Sequence, residues 1–191
     1  GDGGRVETSG HRLTISPSAR VSTAAGASGQ GGLWLLDPTD VVINDATAIQ
    51  NALASGDVTV STTGAGTDTG NISVNVPISW SSAQRLSLVA DGGVQGNGHL
   101  NLSGNGASVV FQQAGNSTYD GKITAAQGSM TKSGAGTLTL SGANTYTGNT
   151  TISVGTLALT GSLSTSTNVV MTGTSVWDLQ ATQTVATLTM A

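Results

Sequence analysis

Apolar residues alternate with small polar residues in short runs along most of the chain. The clearest example is residues 132–159, KSGAGTLTLSGANTYTGNTTISVGTLAL, which hold alternating segments at 137–140, 150–154 and 156–159. One apolar residue at every second position gives a β-strand a single buried face. Glycine and asparagine between the segments supply the positive φ angles that tight corners need. The pattern predicts short strands separated by corners, with no helix between them.

Pairs of apolar residues also recur at a fixed spacing, the step that leads from Val58 to Ile72 and again from Ile72 to Leu86. Such a period is typical of solenoids, in which each unit buries its apolar face against its neighbours. Because this spacing is short for a whole β-helix coil, we interpret the period as part of a coil. The repeat is imperfect, since Leu13/Ile15 and Val109/Phe111 fall outside its register. The pairs in register are Val58/Val60, Ile72/Val74, Leu86/Leu88 and Leu100/Leu102, and then Leu138/Leu140 and Ile152/Val154.

A β-sandwich is the competing interpretation, because its strands also recur at roughly 8–12 residues. Sandwich cores usually contain aromatic side chains, and only 3% of this chain is aromatic. The 28 glycines and the many threonines suit a narrow, regularly stacked core. We therefore predict an all-β fold, a parallel β-helix. Residues 1–191 would form a single elongated segment with a weak boundary near residues 103–130.

Residues 45–54 form the one segment with a helical pattern. Asp45 is placed to cap such a helix, and Ile49 and Leu53 lie four residues apart on one face. At about two turns the helix would be marginal alone. We therefore expect it to pack on the solenoid.

Charge and cysteine content exclude several classes of protein. Only 8% of the residues are charged and the net charge is −4, which disfavours binding to nucleic acid or to an anionic membrane surface. No apolar run approaches the roughly 20 residues of a membrane helix, so we expect no membrane insertion. With no cysteine, disulfides and thiolate metal sites are excluded. The six basic residues are scattered, and we expect most of them on corners.

The acidic residues give little support to an enzyme. Glycoside cleavage on a β-helix needs two carboxylates near one bond, or acids with Ca²⁺ and a basic group. Asp37 and Asp40 bracket a proline and look like turn residues. Stacking of coils could still gather Asp57, Asp68 and Asp91, so a polysaccharide-acting enzyme stays an alternative. We predict no enzymatic activity.

Metal and cofactor sites also lack a sequence pattern. His11 and His99 are far apart in the chain, and neither lies in a recognisable ligand motif. The Gly-x-Gly runs do not lie between a strand and a helix, as phosphate loops do. We therefore predict no cofactor and no metal ion.

Two positions are candidates for direct ligand contact. Trp34 and Trp177 lie in apolar strands and are expected in the core, whereas Trp80, in the sequence PISWSSA, is the tryptophan we expect to be exposed. Residues 61–71, STTGAGTDTGN, are the most loop-like segment and are predicted to form an exposed excursion. Trp80 and Asp68, which lies in that excursion, are therefore the candidate contacts.

Two blocks of sequence resemble known families. Residues 3–60, with GGRVETSG and GLWLLDPTDVVI, resemble filamentous-haemagglutinin-like exoproteins of Gram-negative bacteria, which are exported by two-partner secretion. Residues 132–159 resemble the autotransporter-associated β-strand repeat, and residues 111–130 look like a weaker copy of it. Both resemblances imply a right-handed parallel β-helix on a bacterial surface adhesin.

From the resemblances we expect a structural and adhesive segment of a secreted or cell-surface protein. Its first residues read as the middle of a repeat, which suggests a piece of a longer polypeptide. The expected partners are a host or neighbouring-cell glycan or protein and, during secretion, an outer-membrane export pore. Open strand edges at the two ends of the rod would also favour end-to-end self-association. An inert β-helical stalk is the main alternative.

Overall fold

The computed structural model describes residues 1–10, 18–25, 29–62 and 69–191. These residues form a parallel β-solenoid with one short helix, and every strand pairing among them is parallel. The predicted all-β solenoid is confirmed. The sandwich interpretation is wrong, because a sandwich of this kind is built from antiparallel strands. Leu13, Ile15 and His11 lie outside the described residues.

The first sheet contains nine strands and runs along the whole solenoid. Its strands come from successive coils, so each one pairs with the equivalent strand before and after it. The sheet continues through residues 103–130, because the strands Ser108–Gln113 and Ser129–Ser133 pair directly. The strands are β1 (Arg5–Gly10), β2 (Leu33–Pro38), β4 (Asp57–Ser61), β7 (Arg85–Ala90), β10 (Ser108–Gln113), β13 (Ser129–Ser133), β15 (Thr150–Ile152), β17 (Asn168–Met171) and β19 (Thr187–Met190).

Two further sheets contain the other strands of the described residues. The second sheet has two ladders, β3-β5-β8 and β11-β14-β16-β18, which an isolated parallel bridge between Gly96 and Tyr119 connects. The third sheet contains three strands in the order β6-β9-β12. The second sheet is built from β3 (Val41–Ile43), β5 (Ile72–Val74), β8 (Val94–Gln95), β11 (Ser117–Tyr119), β14 (Thr137–Leu140), β16 (Thr156–Leu159) and β18 (Val176–Leu179), and the third from β6 (Ile78–Trp80), β9 (Leu100–Leu102) and β12 (Ile123–Ala125).

The core consists of ladders of inward side chains, one from each coil. Alternation along each strand sends every second residue inward, and the parallel register then places like positions above one another. On the second sheet, for example, Tyr119, Leu140 and Leu159 stack in this way and are fully buried. The main inward ladder of the first sheet is Trp34, Val58, Leu86, Val109, Met130, Thr150 and Val169.

The sequence period is confirmed as part of a coil. Val58 and Ile72, one period apart, lie in different sheets. Val58 instead pairs with Leu86, two periods further along the chain, so a coil is longer than the period. The Val109/Phe111 pair, which is out of register with the period, belongs to the main ladders of the first sheet. The period therefore relates neighbouring sheets of the solenoid.

The predicted helix is present as α1 (Thr47–Leu53). Its buried face contains Ala48, Ile49, Ala52 and Leu53, so it packs on the core as expected. The backbone N–H of Thr47 donates to Oδ1 of Asp45 at 2.8 Å. That hydrogen bond lowers the pKa of the Asp45 carboxyl, because it favours the charged form. Asp45 therefore binds the first turn from the position before the N-cap residue, which is Ala46, so the contact with the helix start is present but Asp45 is not the N-cap that was predicted.

Helix α1 also covers the free edge of the third sheet. Unpaired N–H groups on an edge strand invite pairing with another chain. Here the N–H of Ser79, on the edge strand β6, donates to Oε1 of Gln50 at 2.8 Å. The hydroxyl of Ser82 donates to the carbonyl of Leu53. None of the helices in the described ranges is long and apolar enough to cross a membrane.

Candidate functional site

The outward surface is lined with polar side chains that hydrogen-bond from one coil to the next. Such bonds fix side chains that would otherwise move freely, so a ligand that binds there meets an ordered surface. Asn168 illustrates the arrangement, since its amide donates to Asn149 at 3.3 Å and accepts from Thr187 at 2.8 Å. The other outward pairs are Asn44 with Asn75, Ser73 with Gln95, Asn101 with Thr124, and Asp120 with Ser141.

Lys132 occupies an inward position of the first sheet. It stands between Phe111 and Ile152 in the ladder and is fully buried. Its ammonium turns toward the following corner and donates to the carbonyl oxygens of Ser133 at 2.9 Å, Gly134 at 2.7 Å and Val154 at 3.3 Å. Lys132 is therefore an exception to the expectation that most basic residues lie on corners. The methylene groups of its side chain lie in the core, and its ammonium binds carbonyl oxygens of the corner backbone.

The environment of Lys132 gives it a structural role. Burial lowers the pKa of its ammonium to about 8, because desolvation disfavours the charged form. A lysine of this kind can act as a base or nucleophile where it faces a substrate. Here the side chain has no exposed surface and all three ammonium hydrogens have carbonyl acceptors. Lys132 therefore joins two coils and has no access to a ligand.

Two more buried polar side chains, Asn144 and Tyr146, lie beyond β12, the last strand of the third sheet. Asn144 accepts the N–H of Ile123 at 2.9 Å and donates to the carbonyls of Gly142 and Ser162. The Tyr146 hydroxyl lies 2.6 Å from that of Thr150. Burial raises the pKa of Tyr146, so its hydroxyl stays protonated at neutral pH. Asn144 thus joins its coil to the coils on either side through Ile123 and Ser162, whereas Tyr146 fixes the corner of its own coil.

The acidic residues serve the fold. Asp40 accepts the N–H of Asn71, in the next coil, at 2.6 Å, and Asp2 accepts the N–H of Gln30 at 3.0 Å. Asp40 thus makes a contact with the next coil, beyond its own turn. The side chain of Asp37 lies outside the described part of the chain. These contacts give the carboxylates structural roles.

Of the acids that coil stacking could have gathered, Asp57 and Asp91 are not brought together. Asp57 begins β4, whereas Asp91 follows the last residue of the adjacent strand β7, so they lie near opposite ends of the strands. Asp68 is outside the described residues. His99 accepts the N–H of Lys122 through Nδ1 at 3.1 Å. Among residues 1–10, 18–25, 29–62 and 69–191, no three His, Asp or Glu side chains converge to hold a metal ion.

Trp80 lies in the core, so the prediction that it is exposed is wrong. Its side chain is 4% exposed, and its indole N–H donates to the carbonyl of Gln84 at 2.9 Å. Trp34 is buried as predicted, and Trp177 is half-buried. The alternation in β6 places Ile78 and Trp80 on the same inward side. A ligand contact at Trp80 stays a prediction, which its burial disfavours.

Replacing Trp80 by phenylalanine is expected to lower the free energy of unfolding by about 1 kcal/mol, because the hydrogen bond to Gln84 is lost while most of the packing remains. Chemical denaturation of the two proteins would measure the difference. Binding to any ligand of the outer surface should be unchanged. A selective loss of ligand binding without a loss of stability would contradict this assignment.

The base of the predicted excursion at residues 61–71 is closed by a hydrogen bond. The Thr62 hydroxyl donates to the carbonyl of Gly70 at 2.6 Å, and Thr62 itself is buried. Residues 63–68 lie outside the described part. The two ends of the segment, at Thr62 and Gly70, therefore lie side by side.

Comparison with protein families identifies the part of the chain that contains Lys132, Asn144 and Tyr146. Residues 130–159 match the family model of the passenger-associated-transport-repeat. The chain carries a passenger repeat. This repeat is typical of autotransporter passengers and implies a secreted or cell-surface protein. No curated protein and no solved structure matches the chain significantly.

The passenger repeat agrees with the resemblance that residues 132–159 showed in sequence. In the structure it contributes two strands to the first sheet and two to the second, β13 to β16. The resemblance of residues 3–60 to two-partner-secretion exoproteins and the weaker copy at 111–130 stay predictions. The repeat supports the autotransporter interpretation.

The sequence analysis missed the buried polar residues of the corners. A signal was present for Lys132, because it follows Met130 by two residues in an alternating strand and so must face the same side. Gln113 gives a similar case at the end of β10, where its buried amide donates to the carbonyls of Gly115 and Thr137. Because polar residues are usually exposed, burial was predicted for neither Lys132 nor Gln113.

Proposed function

We propose that this chain is a rod-forming, non-enzymatic segment of a bacterial surface passenger and that its polar outer face binds another surface. The presence of a passenger repeat within a continuous parallel solenoid carries the proposal. The partner would be a glycan or protein of a host or neighbouring cell. During secretion the chain would pass through an outer-membrane pore, and copies could associate end to end.

The outward ladder of the first sheet suits such a role. Its central residues are Thr59, Ser87, Val110, Thr131 and Thr151, which lie side by side on consecutive strands. Four of these five side chains carry a hydroxyl group, and neighbouring side chains lie at the strand spacing of about 4.8 Å. A regular line of this kind could bind an extended, repetitive partner.

An inert stalk is the second candidate. It is favoured by the burial of Trp80 and by the structural contacts that occupy Asp2, Asp40 and Asp120. In that case the rod would only hold a binding domain away from the cell. Adhesion and spacing need the same fold, so a binding measurement must separate them.

The proposed adhesive function is tested by immobilising the full chain on beads and measuring their retention on glycans, matrix proteins and cells. The matched variant is Thr131→Lys combined with Thr151→Glu, which places opposite charges side by side on the outer face and so preserves strand pairing. We expect saturable retention that the double variant reduces at least fivefold. Retention equal to that of uncoated beads on every surface would favour the stalk.

A further inference from the structure

A groove opens where four neighbouring strands of the first sheet begin. Arg5, Leu33 and Asp57 occupy aligned positions on β1, β2 and β4, and Arg85 follows on β7. Between coils, the N–H of Arg85 donates to Oδ1 of Asp57 at 2.8 Å, and its guanidinium lies 3.1 Å from Oδ2. The groove therefore has a fixed carboxylate–guanidinium pair along one side.

The volume of the groove is ≈ 300 Å³, at the lower end of the usual range for small-molecule sites. Besides the four residues above, it is lined by Gly3, Gly4, Gly31 and Gly32. A Cβ atom built on Gly4 would meet no other atom within 4 Å. The backbone at Gly4 therefore faces open space, and the missing side chain at Gly4 helps to keep the groove open. A Cβ on Gly3, Gly31 or Gly32 would instead meet the backbone of a neighbouring coil at 2.3 Å or less, so these glycines allow the coils to pack closely below the groove.

The charges around the groove balance. The side chains of Asp57 and Arg85 are 30% and 52% exposed, so both can reach a ligand while paired. Arg5 lies 3.5 Å from Glu7, and both are largely exposed. A guanidinium has five N–H donors, so each arginine retains donors beyond its carboxylate contact. With two positive and two negative groups, the site favours a neutral ligand with many hydroxyl groups over a strongly charged one.

We propose that this groove binds a neutral pyranose unit of a saccharide. Asp57 accepts hydrogen bonds from sugar hydroxyls, Arg85 and Arg5 donate to sugar oxygens, and Leu33 packs against the C–H face of the ring. Paired carboxylate and guanidinium groups can engage neighbouring hydroxyls, which both donate and accept. This inference rests on the proposed adhesive function and assigns it a ligand class and a place on the rod.

The test uses maltotetraose, mannotetraose, galactotetraose and cellotetraose as neutral probes and tetragalacturonate as the acidic probe, with calorimetric titration of the full chain. Gly4→Trp would fill the groove from a position where a side chain has room. Asp57→Asn would remove the acceptor charge at an exposed ion pair, which contributes little to stability. Lys122→Gln, at an exposed basic residue away from the groove, is the control.

We expect at least one neutral tetrasaccharide to bind, and to bind at least tenfold more weakly to the Gly4→Trp and Asp57→Asn variants than to the Lys122→Gln control. Circular dichroism would verify that the variants fold. The proposal is overturned if no neutral probe binds, if tetragalacturonate binds more tightly than all of them, or if Gly4→Trp binds as well as the control.

The bead assay separates this proposal from the adhesive function. If beads adhere but no tetrasaccharide binds, the groove proposal is overturned and adhesion stands. If a tetrasaccharide binds in the groove but beads do not adhere, the groove proposal stands and adhesion by this segment fails. Loss of both in the Gly4→Trp variant would make the groove the adhesive contact.

Discussion

Replacing Gly134 by alanine is expected to destabilise the protein by about 2–5 kcal/mol. Gly134 has φ +80°, where an L-residue costs about 1–2 kcal/mol. In addition, the new Cβ would lie 2.4 Å from the carbonyl oxygen and 2.6 Å from the nitrogen of Gln113, in the preceding coil. Relief of that contact requires the two backbones to separate, which costs typically about 1–3 kcal/mol in a packed structure. Urea unfolding would measure the change.

The chain offers a matched control for this substitution in Gly106. Its φ is +81°, but a Cβ there would meet only the Cβ of Ala83, at 3.8 Å. Gly106→Ala should therefore lower the free energy of unfolding only by the cost of the positive φ angle, about 1–2 kcal/mol. Equal losses in the two variants would show that the close approach of the coils at Gly134 is not a source of destabilisation. A shift in unfolding midpoint with an unchanged slope would confirm that stability alone had changed.

Replacing Lys132 by alanine is expected to lower the free energy of unfolding by about 3 kcal/mol, whereas methionine should cost less than about 1 kcal/mol. Alanine removes the buried stem between Phe111 and Ile152, and large-to-small changes in a core cost about 2–5 kcal/mol. Methionine retains most of that volume. It loses the three carbonyl contacts, but it also removes the cost of burying an ammonium, and the two effects are of similar size.

The pH dependence of the free energy of unfolding should reveal the contribution of Lys132. Its pKa is about 8 in the folded protein and near the ordinary value of 10.5 when unfolded, so between those values the unfolded state binds more protons. Stability should then rise with pH, by up to about 3 kcal/mol between pH 8 and 10.5. The Lys132→Met variant should lack this rise. Urea midpoints of both proteins between pH 7 and pH 10 would test it.

Two comparisons test whether the pH dependence of stability comes from Lys132. Burial also raises the pKa of Tyr119 and Tyr146, which lowers stability at higher pH, but both tyrosines are present in the variant and cancel in the difference. Lys122→Met, at an exposed lysine, should leave both the stability and its pH dependence nearly unchanged. Parallel pH curves for the parent protein and Lys132→Met would contradict a depressed pKa for Lys132.

The alternation of apolar and polar residues predicted the strands, and the fixed spacing of apolar pairs together with the low aromatic content favoured the solenoid. In β7, for instance, Leu86 and Leu88 alternate with Arg85 and Ser87, and only one side of such a strand can be buried. The helix was equally visible, because Asp45 precedes a segment whose apolar residues recur at helical spacing. These features depend on residues close together in the chain, so the sequence shows them directly.

The groove and the corners were not predictable in the same way. Arg5 and Arg85 are distant in the chain, and they line one groove only because four successive coils bring β1, β2, β4 and β7 side by side. The length of each coil decides that register. The coils differ in length, since the step from Arg5 to its partner Leu33 is longer than the step from Val169 to Leu188. No single sequence period could therefore have revealed the groove.

The sequence by itself determined that this protein is a parallel solenoid of short strands with one short helix, because strand alternation and helical spacing act over a few residues. It also determined the passenger repeat at residues 130–159. Only the tertiary structure decided that Trp80 is buried, that Lys132 binds three carbonyl groups, and that Asp57 meets Arg85 beside a groove. Each of these depends on which coil stacks on which, and that register is set by packing between residues distant in the chain.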